Sequence, residues 1–171
     1  FSGINIVGLA VSMSVGLILI TFLAELKSYD KFHKNYDAIY RVRSNHQRKG
    51  WDEPNKYAST SILAGKKTQE SIEGIEAITT IRAHFDKDLH AGDKIIPLNG
   101  FWTDNGFFKV FSWEFIGGDP ATALSELNAV VLTESSANRL FGTTDVVGKN
   151  VLVDTVNYAI TAVVKDPPKN S

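Results

Sequence analysis

The chain has 171 residues, with 18 basic and 19 acidic side chains, a net charge of −1 and no cysteine. Near-neutral charge gives nucleic acid no electrostatic hold, and the lack of cysteine excludes a disulfide scaffold, a thiol nucleophile and any Cys-ligated metal. The charge is also unevenly placed: residues 1–24 carry none, which excludes one uniform globule and predicts a membrane segment followed by a water-soluble domain.

Residues 4–24 read INIVGLAVSMSVGLILITFLA. At 1.5 Å per residue this stretch covers about 31 Å, close to the ~30 Å hydrocarbon thickness of a bilayer. Its Ile, Val, Leu and Phe residues supply about −4 to −7 kcal/mol of insertion energy, partly offset by Asn5, the serines, Thr21 and the glycines. Gly8, Ser12 and Gly16 recur every four residues and form a small-residue stripe on which a second membrane helix could pack. A cleaved signal peptide fits less well, because the run is long and no A-x-A site follows; a buried core helix is the other reading. The stretch after it, residues 25–43, carries Lys27, Lys31, Lys34, Arg41 and Arg43 against Glu25, Asp30 and Asp37. The positive-inside rule would place this side in the cytoplasm.

Beyond the membrane segment, 29–40 is predicted to continue as an amphipathic helix with Phe32, Tyr36 and Ile39 on one face. Strands follow at 39–46 and 75–83, with a helix at 61–71 capped by Ser59 or Thr60 between them. Residues 84–102 read as a hairpin turning near Ala91-Gly92-Asp93, with Pro97 towards an edge. Asp104 caps a short helix carrying Phe107, Phe108 and Phe111. Asp119-Pro120 opens another helix. A strand at 129–132 leads into a helix capped by Thr133 and ended by Gly142. Strands at 150–154 and 157–165 close the pattern, with 166–171 a loop. Interleaved strands and short helices with several hairpins make the class α+β.

Chemistry is sparse. There is no Gly-rich loop with a following Lys-Ser/Thr. His33, His46, His84 and His90 are scattered and read as surface or interface residues. Asp86, Asp88 and Asp93 lack the spacing of a calcium loop and read as a solvated turn. Ser135 and Ser136 lack a nucleophile elbow and read as a helix start. Glu70, Glu73 and Glu76 read as the polar face of a helix end. The aromatic group Phe101, Trp102, Phe107, Phe108, Phe111, Trp113 and Phe115 reads as core, with a ligand pocket as the alternative. No catalytic, metal or cofactor-binding residue is expected.

Several segments in order carry a resemblance: SYDKFHKNYDAIYRV after the apolar run, DNGFFKVFSWEFIGGDPATAL at 104–124, VVLTESSANRLFG at 130–142, VGKNV at 147–151 and ITAVVKDPPKNS at 160–171. Together they resemble the MacB-type ABC transporter permeases, in the group found in Bacteroidetes-like bacteria. Family members commonly have proline near Ile62 and Glu73, and this chain does not.

The resemblance implies one N-terminal transmembrane helix (1–26), a helical extension (27–38) and a MacB-like periplasmic core domain of mixed strands and short helices (39–171). The chain opens on Phe1 and reads as a piece of a longer permease. The resemblance also implies a place in the bacterial inner membrane with 27–171 in the periplasm, against the charge signal. It implies a second permease copy, membrane lipid and a separate ABC-type ATPase as partners. A periplasmic adaptor and an outer-membrane channel could join them. Its implied role is coupling cytoplasmic ATP hydrolysis to periplasmic motion for export or efflux, as in FtsX-like and LolCE-like relatives. With no Gly or Pro between Gly16 and Gly50, Tyr29, Phe32 and Tyr36 would sit on an unbroken helical lever. A single-pass anchored sensor or ligand-binding module is the competing reading.

Overall fold

The computed structural model describes residues 2–50 and 52–168; the last three residues of the predicted closing loop fall outside them. Helix α1 (Ser2–Ser28) contains the whole apolar run. None of its residues is buried, so it is not a core helix of this domain, and it is long and apolar enough to cross a membrane. The hydroxyls of Ser12, Ser14 and Thr21 donate to the carbonyls of Gly8, Ala10 and Leu17, one turn back. These bonds keep the polar groups satisfied inside the helix, as an apolar medium requires.

The helix does not continue through 29–40. Asp30 takes a left-handed backbone (φ 60°), which Asp tolerates better than most residues. The chain then folds through tight turns, with Lys31 N–H donating to Ser28 O, His33 N–H to Asp30 O and Tyr36 N–H to His33 O. A single 3-10 turn (Tyr36–Ala38) completes the segment. Side-chain chemistry accounts for the break: Lys34 N–H donates to the Ser112 hydroxyl instead of to a helical carbonyl. The predicted common face is lost with it. Phe32 and Ile39 are half-buried, whereas Tyr36 is exposed.

A small ribbon follows, β1 (Ser44–His46) antiparallel to β2 (Asn55–Tyr57). The predicted strand at 39–46 is therefore only its last three residues. Helix α2 (Ile62–Ser71) is capped by Ser61, whose hydroxyl accepts from Ala64 N–H, and not by Ser59 or Thr60. Thr60 instead accepts from the Ser44 hydroxyl, tying α2 to the ribbon.

The main sheet holds six strands. β8 (Val156–Val164) lies at its centre, antiparallel to β7 (Asn150–Val153) and β5 (Phe115–Gly117) and parallel to β6 (Ala129–Thr133). Burial rises along it, from exposed Val156 and Asn157 to buried Ile160, Ala162, Val163 and Val164. Beyond β7 come β3 (Arg82–Ala91) and then β4 (Lys94–Trp102), with Pro97 on the outer strand of the sheet.

The β3–β4 hairpin turns through Gly92 and Asp93, with Gly92 supplying the positive φ (58°) that a two-residue turn needs. The predicted strand at 75–83 begins only at Arg82. Upstream, Thr79 Oγ1 and Thr80 N–H donate to the Asp104 carboxylate in place of a neighbouring strand.

Helix α4 (Glu134–Phe141) covers the sheet, capped by Thr133 and ended by left-handed Gly142, as its sequence predicts. Ala137 and Leu140 point inward, one turn apart. The buried core gathers Leu89, Leu132, Leu140, Val146, Val151, Ile160 and Val163 around them. Helix α3 (Phe107–Val110) is a single turn, with the Asp104 carboxylate accepting from Gly106 N–H. The predicted helix at Asp119-Pro120 is also no more than a turn, closed by Thr122 and Ala123 N–H on Asp119 O.

Candidate coupling site

The aromatic group of 101–115 is not the centre of the core. Of its seven members only Phe107 is buried, and Phe101 and Trp102 are exposed. The core proper is aliphatic. The aromatics instead form a chain of ring contacts. Phe107 touches Phe101, Phe108, Phe111 and Trp113, and Phe108 meets Phe115 edge to face at 4.7 Å. Edge-to-face and tilted pairs of this kind add about 0.5–1.5 kcal/mol each beyond their area.

The segment that follows α1 docks on this cluster. Phe32 stands edge to face on Trp113 at 5.7 Å. His33 lies 5.1 Å from Phe111 and 5.6 Å from Trp113, ring centre to ring centre. It is the one buried polar side chain among the described residues, 5% exposed. Its Nδ1 lies 3.1 Å from both the amide nitrogen and the carbonyl oxygen of Ser112. A neutral ring with Nδ1 unprotonated accepts the Ser112 N–H there. With Lys34 N–H donating to the Ser112 hydroxyl at 3.1 Å, two consecutive residues of the junction are pinned to one residue of the domain. Trp113 is held in turn by its Nε1–H, which donates to Lys165 O at the end of β8. A continuous set of contacts thus runs from the last turn of α1 to the central strand.

Of the residues singled out for coupling, Phe32 is in this dock. Tyr29 and Tyr36 flank it with exposed side chains. His33, the residue that seats the junction, carries no local signal of that role, because its partner is 79 positions away. Gly8, Ser12 and Gly16 are not packed against the domain: a Cβ at either glycine would meet nothing within 4 Å.

The remaining polar groups serve the fold. Ser135 Oγ–H donates to Asp166 Oδ1 at 2.6 Å, and Ser135 N–H bonds the same oxygen. The Ser135 hydroxyl holds the Asp166 carboxyl below its usual range against the opposing effect of desolvation, with lesser help from the Thr133 hydroxyl and the Ser135 N–H. Lys87 pairs with Asp154 and Lys165 with Glu114, both on the surface. Asp86, Asp88 and Asp93 are exposed. Among the described residues no three His, Cys, Asp or Glu converge on a metal position. An open concavity of about 600 Å³ lies between α2 and the β4–α3 loop, lined by Lys66, Glu76, Trp102, Asp104 and Lys109 among others.

Residues 2–171, helix and domain together, match the family described as the MacB-like periplasmic core domain. The chain belongs to that family. By its description that family is a periplasmic domain. Solved structures share its fold. A domain of a putative permease from Porphyromonas gingivalis is 24% identical, with a TM-score of 0.60 over 75% of this chain and 56% of that one. The periplasmic region of MacB from Actinobacillus actinomycetemcomitans is 20% identical, with a TM-score of 0.51 over 61% of this chain and 50% of that one. The extracellular domain of the noncanonic ABC-type transporter YknZ from Gram-positive bacteria is 16% identical, with a TM-score of 0.50 over 60% and 56%. The chain thus spans about half the length of these structures. No curated protein matches it.

Proposed function

We propose that the chain is the membrane-entry helix and adjoining domain of an ABC-type permease subunit that couples ATP hydrolysis by a separate cytoplasmic ATPase to motion outside the membrane, for export or efflux. In this reading α1 crosses the inner membrane, residues 27–171 lie in the periplasm, and the polypeptide itself does no covalent chemistry. A second permease copy packs along Gly8, Ser12 and Gly16, and an adaptor and outer-membrane channel receive the cargo. The observation that supports the reading is the junction. A helix with no buried residue passes directly into a segment seated on the domain by Phe32, His33 and Lys34.

The coupling element differs from an unbroken lever. Displacement of α1 reaches the domain through a short compact knuckle docked on Phe111, Ser112 and Trp113. Inserting Gly-Gly after Ser28 in the permease, assayed with its ATPase, is expected to leave ATP hydrolysis running while export is lost. The same insertion at exposed Gly50, in the β1–β2 loop, is expected to leave export intact. Unchanged export after the first insertion would overturn the coupling role.

A further inference from the structure

We infer that the outward side of the junction, Lys27, Tyr29, Lys31, Lys34 and Tyr36, lies in the phospholipid headgroup layer and binds lipid phosphates. The inference rests on the reading that α1 spans the bilayer.

The uncharged residues 4–24 fill about 31 Å of hydrocarbon. The four residues left in α1 add about 6 Å, and each headgroup layer is about 5–8 Å deep. Tyr29 therefore emerges at headgroup depth. The chain does not leave that level at once, because residues 28–38 turn repeatedly on i→i−3 bonds.

Phe32 and His33 are used up against the domain. Tyr29 (46% exposed) and Tyr36 (50%) are open to solvent, as are Lys31 and Lys34. Tyrosine is the side chain whose apolar ring and polar tip suit this layer, and a lysine stem can lie along apolar surface with its ammonium at phosphate.

None of Lys27, Lys31 and Lys34 forms an ion pair among the described residues, whereas Lys87 and Lys165 do. Residues 25–43 carry five basic against three acidic side chains. That excess contradicts an extracytoplasmic position if it is read as a topology signal. It is accounted for if the lysines are committed to lipid phosphate.

The lack of cysteine permits a direct test on the full chain. Val11→Cys and Ala38→Cys, each carrying an NBD fluorophore, are reconstituted into phosphatidylcholine vesicles with and without phosphatidylglycerol. Nitroxide lipids quench at acyl-chain or headgroup depth. The Val11 probe is expected to be quenched from the acyl chains in both vesicles. The Ala38 probe is expected to be quenched from the headgroups, more strongly with phosphatidylglycerol, and Lys31→Gln/Lys34→Gln should remove that increment. An Ala38 probe quenched no more than free NBD-cysteine, beside a quenched Val11 probe, would overturn the lipid surface and leave the spanning helix standing. Headgroup quenching indifferent to both phosphatidylglycerol and the lysine changes would overturn phosphate binding. An unquenched Val11 probe would remove the spanning helix and the lipid surface together.

Discussion

Gly118 and Gly142 both hold a positive φ, 87° and 76°, yet they are not equivalent. A Cβ on Gly142 meets nothing within 4 Å, while one on Gly118 falls 2.4 Å from Thr161 O and 2.6 Å from the Ala162 Cβ on the central strand. Gly142→Ala is expected to cost about 1–2 kcal/mol, the price of a left-handed L-residue. Gly118→Ala must also displace β8 and is expected to cost clearly more, read by chemical unfolding of the two variants side by side. Equal costs would mean that the segment before Asp119 does not press on β8 as described.

Asp166 gives a second test at this scale. Its carboxyl is held below the usual carboxylate range, chiefly by the Ser135 hydroxyl. A lowered folded value means that the carboxylate stabilises the fold fully above the unfolded value, and that this contribution is lost as pH falls through the folded one. The gap in unfolding temperature between the native chain and Asp166→Asn is therefore expected to be widest near neutrality and to close as pH drops from about 5 towards 2. A gap that persists in acid would assign the effect to something other than the ionised carboxylate.

Among the elements, the junction offers the sharpest test of stability. His33→Ala removes a buried ring and leaves the Ser112 N–H without its acceptor, an expected loss of about 1–3 kcal/mol. His33→Phe keeps the ring contacts and should fall in between. Unfolding in detergent micelles, followed by Trp fluorescence, reads both, and a null effect of His33→Ala would remove the dock as a structural element. Elements written in local chemistry were legible in the sequence. The charge-free run of α1, the Thr133 and Gly142 caps of α4 and the Gly92-Asp93 turn each carry their own instructions within a few residues. The break at Asp30 was not legible, because neither Gly nor Pro marks it and the forces that set it come from Ser112, far along the chain. The three-residue strands β2 and β5 were missed for a related reason: so short a strand exists only through its partner. The aromatic run misled in the opposite direction, since its composition says core while its position makes it a seat for the junction.

As a whole, the molecule joins an exposed apolar rod to a mixed sheet with an aliphatic core, through one pinned knuckle. The family match takes in helix and domain together, and solved structures share the fold. Impermeant labelling reads out whether α1 crosses the membrane and delivers the domain to its outer side. A single cysteine at Asp93, exposed at the hairpin tip, is introduced into the permease carrying this chain, and intact spheroplasts are treated with a membrane-impermeant maleimide. The account predicts full labelling before lysis. Labelling that appears only after the spheroplasts are broken open would contradict it.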